Sequence, residues 1–396
     1  MLISILACTI GVPDIPGGDD GGIPSGDTVA TIVQQTLEAL TPGGAGPGPV
    51  EATEPPPASL LPQALYFMGT DVSGLDQVFR LAADGMTLTQ VTFEPANVQS
   101  FDISPVDGSV AYVSNNQLLV AAADGSGRRL LVDGGDAQYE FNLTILNPRW
   151  SPDGWQIAYG LGGLNFYGLN TGFTTTALTN NIDIMGAGFP IVREGYSPYD
   201  YSPDGTKLLV NVHWYEGSTL GVYHPASGSF VQASYPGILC CTANWAPDGS
   251  TVHIASPALG LIESGLWRMD PASGMVTTLI PSSDGLTYNF ADAPLLGPDG
   301  QLYFFFSNLP TIPEGHTPLN MVRSAPDGVT GRALLSDVIP SMNEALWASD
   351  ASLAVVAIST LGGDYEWQGG ALMLYYPDGR PLLALGVAGQ SLRWGP

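Results

Sequence analysis

The phrase Trp150-Ser151-Pro152-Asp153-Gly154 recurs along the chain, and that recurrence restricts the fold more than any other property of the sequence. Relatives of it begin at Ile103, Tyr201, Trp245, Leu296 and Trp347, and Trp394-Gly395-Pro396 is a further copy cut after its proline. The apolar anchors stand between 44 and 51 residues apart. A second series is offset from the first: Leu81 to Gly85, Ala121 to Gly125, Gly168 to Gly172, His224 to Gly228, Asp270 to Gly274, Ser324 to Gly328 and Tyr375 to Gly379. Between the two series lie strand-length runs rich in β-branched and aromatic residues, such as QIAYG, TVHIAS and SLAVVAIS. A period in the forties to fifties built from such runs is the mark of a β-propeller. Each unit reads as four antiparallel strands, a to d: the anchor ends strand a, the Pro-Asp-Gly turn leads to b, a variable loop to c, and the second turn to d.

The count is seven in both series, so the fold class is all-β, a propeller of seven four-stranded blades. The first unit begins at its b-like run, Ala64 to Gly69, without a strand a. The run Ser391-Leu392-Arg393-Trp394 supplies the missing strand, so the C-terminal segment closes the ring and removes exposed sheet edges.

The phrase NPRWSPDGWQIAYG and the hairpin VFRLAADGMTLTQVT (78–92) resemble the TolB-like, WD-type propeller repeats of bacteria. The resemblance covers roughly residues 62–396. It implies a propeller that binds proteins or ligands. TolB itself is periplasmic, carries an additional N-terminal α/β domain and has six blades, which makes six the alternative count. A linker stands in place of that domain here, so a role in the Tol–Pal system is not carried over.

Residues 9–61 are rich in Gly, Pro, Asp and Thr and cannot bury enough apolar area to fold, which reads as a linker. A short helix over 28–40 is expected within it, with Val29, Ile32, Val33, Thr36, Leu37 and Leu40 on one face. Ahead of the linker, Ile5-Leu6-Ala7-Cys8 resembles the lipobox of bacterial lipoproteins. Residues 1–8 then read as a truncated lipoprotein-type signal, with Cys8 as the lipid anchor and the cell surface or periplasm as the location. The domains are therefore 1–8, 9–61 and a propeller over 62–396.

The net charge is −26, with Lys207 the one lysine in 396 residues. Such a chain repels phosphate backbones and anionic headgroups, so nucleic acid is excluded as a partner and the membrane is reached only through the lipid anchor. Cys240 and Cys241 are adjacent, and sequence leaves open whether they are two thiols or a disulfide. No cysteine spacing suits zinc.

The Pro-Asp-Gly phrase is turn chemistry: Pro presets φ, Asp bonds nearby amides and Gly accepts φ > 0. Its repetition argues against a unique catalytic site. No G-x-S-x-G elbow occurs, and His213, His224, His253 and His316 form no ligand pair, so no catalytic residue, metal or cofactor is assigned.

The long, dissimilar d–a and b–c segments share one face, and variation on a rigid scaffold is where binding resides. They are read as loops over 134–147, 180–200, 236–244, 282–294, 213–218, 307–318 and 361–370. They interleave aromatics with carboxylates, and the candidate ligand-binding residues are Tyr139, Glu140, Tyr199, Asp200, Trp214, Glu216, Tyr288, Asp292, Glu366 and Trp367. Aromatic faces beside acidic acceptors suit sugar rings or basic and aromatic side chains. The expected function is a surface-tethered, non-catalytic module recognising a protein or extracellular polysaccharide. The alternatives are a glycoside hydrolase or lyase using two of these carboxylates, and a structural scaffold.

Overall fold

The computed structural model describes residues 59–396, apart from 137–142, 186–188, 215, 238, 261 and 360–367. The signal, the linker with its helix, and the candidates Cys8, Tyr139, Glu140, Glu366 and Trp367 therefore lie outside the described residues.

Strands pair into seven antiparallel sheets, and no α-helix occurs among the described residues. The innermost strands of blades 1 to 7 are, in order, Gln390–Gly395, Val98–Ile103, Leu146–Trp150, Phe189–Tyr201, Thr242–Trp245, Tyr288–Leu296 and Met342–Trp347. Six of them end on the expected anchor residue, and the seventh ends one residue beyond Trp394. Blade 1 is completed across the termini of the ring. Leu65 pairs with Trp394 and Tyr66 with Arg393, so Gln390–Gly395 is hydrogen-bonded to Ala64–Thr70.

The core is divided among the seams. Seven apolar clusters fill the spaces between neighbouring blades, each drawing residues from two sheets. Trp150, for example, packs with Ala111, Val113 and Ile157 between blades 2 and 3. Burying a side chain of this size stabilises by roughly 1.5–3 kcal/mol. Polar ties cross the same seams. The indole N–H groups of Trp245, Trp347 and Trp394 donate to Asp200 O, Ala293 O and Trp347 O, each on the preceding blade.

The turn phrase behaves as its chemistry requires. In blade 3, Gly154 N donates to Ser151 O at 2.9 Å and Trp155 N to Asp153 Oδ1 at 3.0 Å, with Gly154 at φ 74°. The amide two residues after Asp107, Asp204, Asp248, Asp299 and Asp350 makes the same bond. These aspartates turn the chain.

Several segments read as loops contain strands, among them 282–294, whose second half belongs to Tyr288–Leu296. The stretch 180–200 forms a hairpin in which Asn181–Met185 pairs with the first half of Phe189–Tyr201, giving blade 4 a fifth strand. Its alternating Ile182, Ile184, Val192 pattern outweighs the Gly and Pro residues that suggested a loop. Likewise 213–218 is a tight hairpin, because Trp214 already pairs with Gly217.

Candidate functional site

The variable face opens into an axial chamber of about 820 Å³, walled by the innermost strands. Those strands pack against one another around the axis, so a side chain pointing inward from any of them meets its counterparts from other blades. Four charged residues occupy the position just before the anchor on consecutive blades: Arg393 on blade 1, Asp102 on blade 2, Arg149 on blade 3 and Asp200 on blade 4. The sign alternates from blade to blade. The equivalent positions on the remaining blades are Asn244, Leu295 and Leu346.

The charges are held by the fold. Arg393 Nε lies 3.4 Å from Asp102 Oδ1, and Asp102 Oδ2 accepts the Trp150 main-chain N–H at 2.7 Å. Arg149 donates from Nε to Tyr199 O and from its Nη1 to Pro148 O. Burial lowers the Arg149 pKa, and the neighbouring Arg393 lowers it further. Burial acts the same way on Arg393, yet the carboxylates of Asp102, Asp200 and Glu344 outweigh it and raise the Arg393 pKa. Asp200 borders the solvent-accessible space of the chamber while protein surrounds it, and burial raises its pKa against the opposing pull of Arg149 and Arg393.

Two more carboxylates complete the wall region. Glu344 lines the chamber and accepts Leu392 N at Oε1 and Ser391 N at Oε2, both at 2.7 Å. It thereby clamps the closing strand of blade 1 to blade 7. Burial raises its pKa, opposed by Arg393 and by these two amides. Asp292 lies behind the wall and accepts the Thr242 hydroxyl and the Ala293 amide at Oδ1, each at 2.7 Å. Burial pushes its carboxyl up to about 6.

Of the sequence candidates, Tyr199 and Asp200 line this chamber, and Asp292 reaches it through Thr242. None of the three belongs to a loop; all lie within innermost strands. Tyr199 also ties two blades, since its hydroxyl accepts the Ala243 amide at 2.8 Å. Tyr288 packs half-buried against the cluster between blades 6 and 7. Trp214 and Glu216 belong to the blade 4 hairpin and do not line the chamber. Sequence reading missed Asp102, Arg149, Glu344 and Arg393. Once the anchors were aligned, the residue preceding each one was the signal for three of them.

Cys240 and Cys241 are bonded to each other directly before Thr242. Among the described residues, no group of three or more His, Cys, Asp or Glu side chains forms a metal-binding cluster. His253 is buried in strand Val252–Ser256, and burial lowers its pKa to about 4, so it is a neutral core residue at pH 7. Among the described residues no helix is long and apolar enough to cross a membrane.

No protein-family model and no curated protein matches the sequence. Solved structures do. A prolyl endopeptidase shares 10% identity at a TM-score of 0.56, over 84% of this chain and 49% of its own. This chain thus spans about half the length of that enzyme. An oligogalacturonate lyase in complex with manganese shares 13% identity at a TM-score of 0.51, over 80% of this chain and 83% of its own. TolB from Acinetobacter baumannii shares 15% identity at a TM-score of 0.43, over 80% of this chain and 77% of its own. Likeness at these identities shows the fold alone. Together with the repeats and the ring, it shows a seven-bladed β-propeller.

Proposed function

We propose that this protein is a non-catalytic binding module that takes a protein segment or an extracellular polymer at the mouth of the axial chamber. In this reading the Cys8 lipid anchor and the linker tether it at the cell surface or in the periplasm. The supporting observation is how the carboxylates are employed. Glu344 gives both oxygens to main-chain amides, Asp292 gives Oδ1 to a hydroxyl and an amide, and Asp102 gives Oδ2 to an amide. A general acid or base must reach the proton it transfers, and these groups already hold the scaffold together. A chamber walled by carboxylates and guanidiniums, open on the most variable face, suits recognition of a basic or hydroxyl-rich group.

The test compares partners captured from cell-envelope extract by the wild type, by Asp200→Asn and by Gln99→Trp, since exposed Gln99 lines the chamber and a larger side chain there would narrow it. A partner held by the wild type and lost by more than about tenfold in both variants fits the proposal. Retention of every partner by both variants overturns it. A second reading, a carbohydrate-active lyase or hydrolase, draws on Asp292, whose carboxyl titrates at about 6. It requires product release from oligosaccharides that is lost in Asp292→Asn.

A further inference from the structure

A second cavity, of about 620 Å³, lies on the opposite face of the ring, between the short turns of blades 2 and 3. Three departures from the repeat converge on it. The first is Trp155, which follows the turn glycine of blade 3. The sister turns carry Ser109, Thr206, Ser250, Gln301 and Ser352 there, whereas the Trp155 side chain is 56% exposed. The second is Val106, an extra residue within the blade 2 turn, 63% exposed. It sits so close to the neighbouring turn that a Cβ on Gly154 would meet its Cγ2 at 3.0 Å. The third is Trp150. Its indole N–H is the one among the four anchor tryptophans with no acceptor among the described residues, although the side chain is buried and lines the groove.

Leaving an indole and a valine in water on one seam forfeits burial that the sister turns never had to seek, and such patches mark contact sites. The polar groups around them set the chemistry. Asp107 and Asp153 offer carboxylate acceptors, and the exposed Arg129 offers guanidinium donors. We propose that this groove is a saccharide-binding site, distinct from the axial chamber. A pyranose presents a flat C–H face that packs on an indole, while its rim of hydroxyls both donates to carboxylates and accepts from a guanidinium. A proline-rich peptide would match the indole but brings few N–H donors for Asp107 and Asp153. A polyanionic saccharide is disfavoured by the net charge of −26. The volume falls within the range of about 300–1,000 Å³ common for small-ligand clefts.

The experiment titrates the full chain separately with cellohexaose, chitohexaose and a proline-rich decapeptide, followed by calorimetry and tryptophan fluorescence. At least one hexasaccharide is expected to bind. Trp155→Ser, which installs the residue type of the sister turns, is expected to weaken it more than about tenfold with an unchanged melting temperature. Ser250→Ala, at the sister turn of blade 5 and away from both cavities, is expected to leave it unaffected. The proposal is overturned if neither hexasaccharide binds up to about 10 mM, if Trp155→Ser binds as tightly as wild type, or if only the peptide binds.

Discussion

Aspartates stand at both ends of the ring, and they are under opposite constraints. At the turn end, Asp204 accepts the Ser202 and Thr206 hydroxyls and the Thr206 amide in open solvent, and the Ser202 bond leads in bringing its pKa down to about 2. At the axial end, Asp292 also accepts a hydroxyl and an amide, yet burial carries it up to about 6. Hydrogen bonding to the charged form is common to both. Desolvation separates them, and at the axis it wins. The turn carboxylates shape a hairpin within one blade, whereas those of the chamber connect blades.

The largest effect that would sharpen this contrast is expected at Glu344. Replacement by alanine strips two largely shielded amides of the closing strand of their acceptor, and a loss of about 3 kcal/mol is expected. Urea unfolding measures it, and a loss below about 1 kcal/mol would mean that closure does not depend on this clamp. Next comes Asp292→Asn, which keeps an oxygen for Thr242 and Ala293 but removes the buried charge. The unfolded side chain titrates near 3.9, and the folded one at about 6. Above that value both states are ionised and the folded state bears the desolvation cost. As the pH falls towards about 4, the folded wild type takes up a proton that the unfolded chain does not, so wild-type stability rises. The variant is therefore expected to exceed wild type by up to about 3 kcal/mol at neutral pH, with the gap closing near pH 4. A gap independent of pH would show that Asp292 is not titrating as described.

The smallest effect belongs to Asp204→Ala, at about 1 kcal/mol or less because the group is exposed. Its sign is opposite: a folded pKa of about 2 gives stability that is present above about 3.9 and lost as the pH falls through 2. Acid titration of unfolding midpoints for Asp204→Ala and wild type checks this. Curves that diverged on acidification rather than converging would erase the distinction between the two ends.

The repeat made the ring legible because turns are local. Ser151 to Gln156 carry their own instructions, and the anchors Ile103 to Trp394 report the period whatever lies between them. Closure by Gln390–Gly395 was legible for the same reason, as a strand missing at one end and present at the other. The chamber was harder to read because its members are partners only in three dimensions. Asp102, Arg149 and Arg393 look like isolated charges in apolar strands until the ring places them on neighbouring blades. Tyr199, Asp200, Tyr288 and Asp292 were picked out for their composition, but as loop residues. The strands Phe189–Tyr201 and Tyr288–Leu296 run on past the usual blade edge, and the prolines within them, Pro198 and Pro294, read locally as loop.

The pairing of Leu65 with Trp394 has a kinetic consequence. The two residues are separated by more than three hundred positions, so their meeting carries a larger loop-closure entropy than the strand pairings within blades 2 to 7. Strands Ala64–Thr70, Asp76–Leu81 and Leu88–Gln90 must wait for it with one edge unpaired, while blades 2 to 7 assemble from near neighbours. High contact order slows folding, and blade 1 is where that delay is concentrated. Until Gln390–Gly395 docks, the edge of Ala64–Thr70 remains open to any other strand that reaches it first.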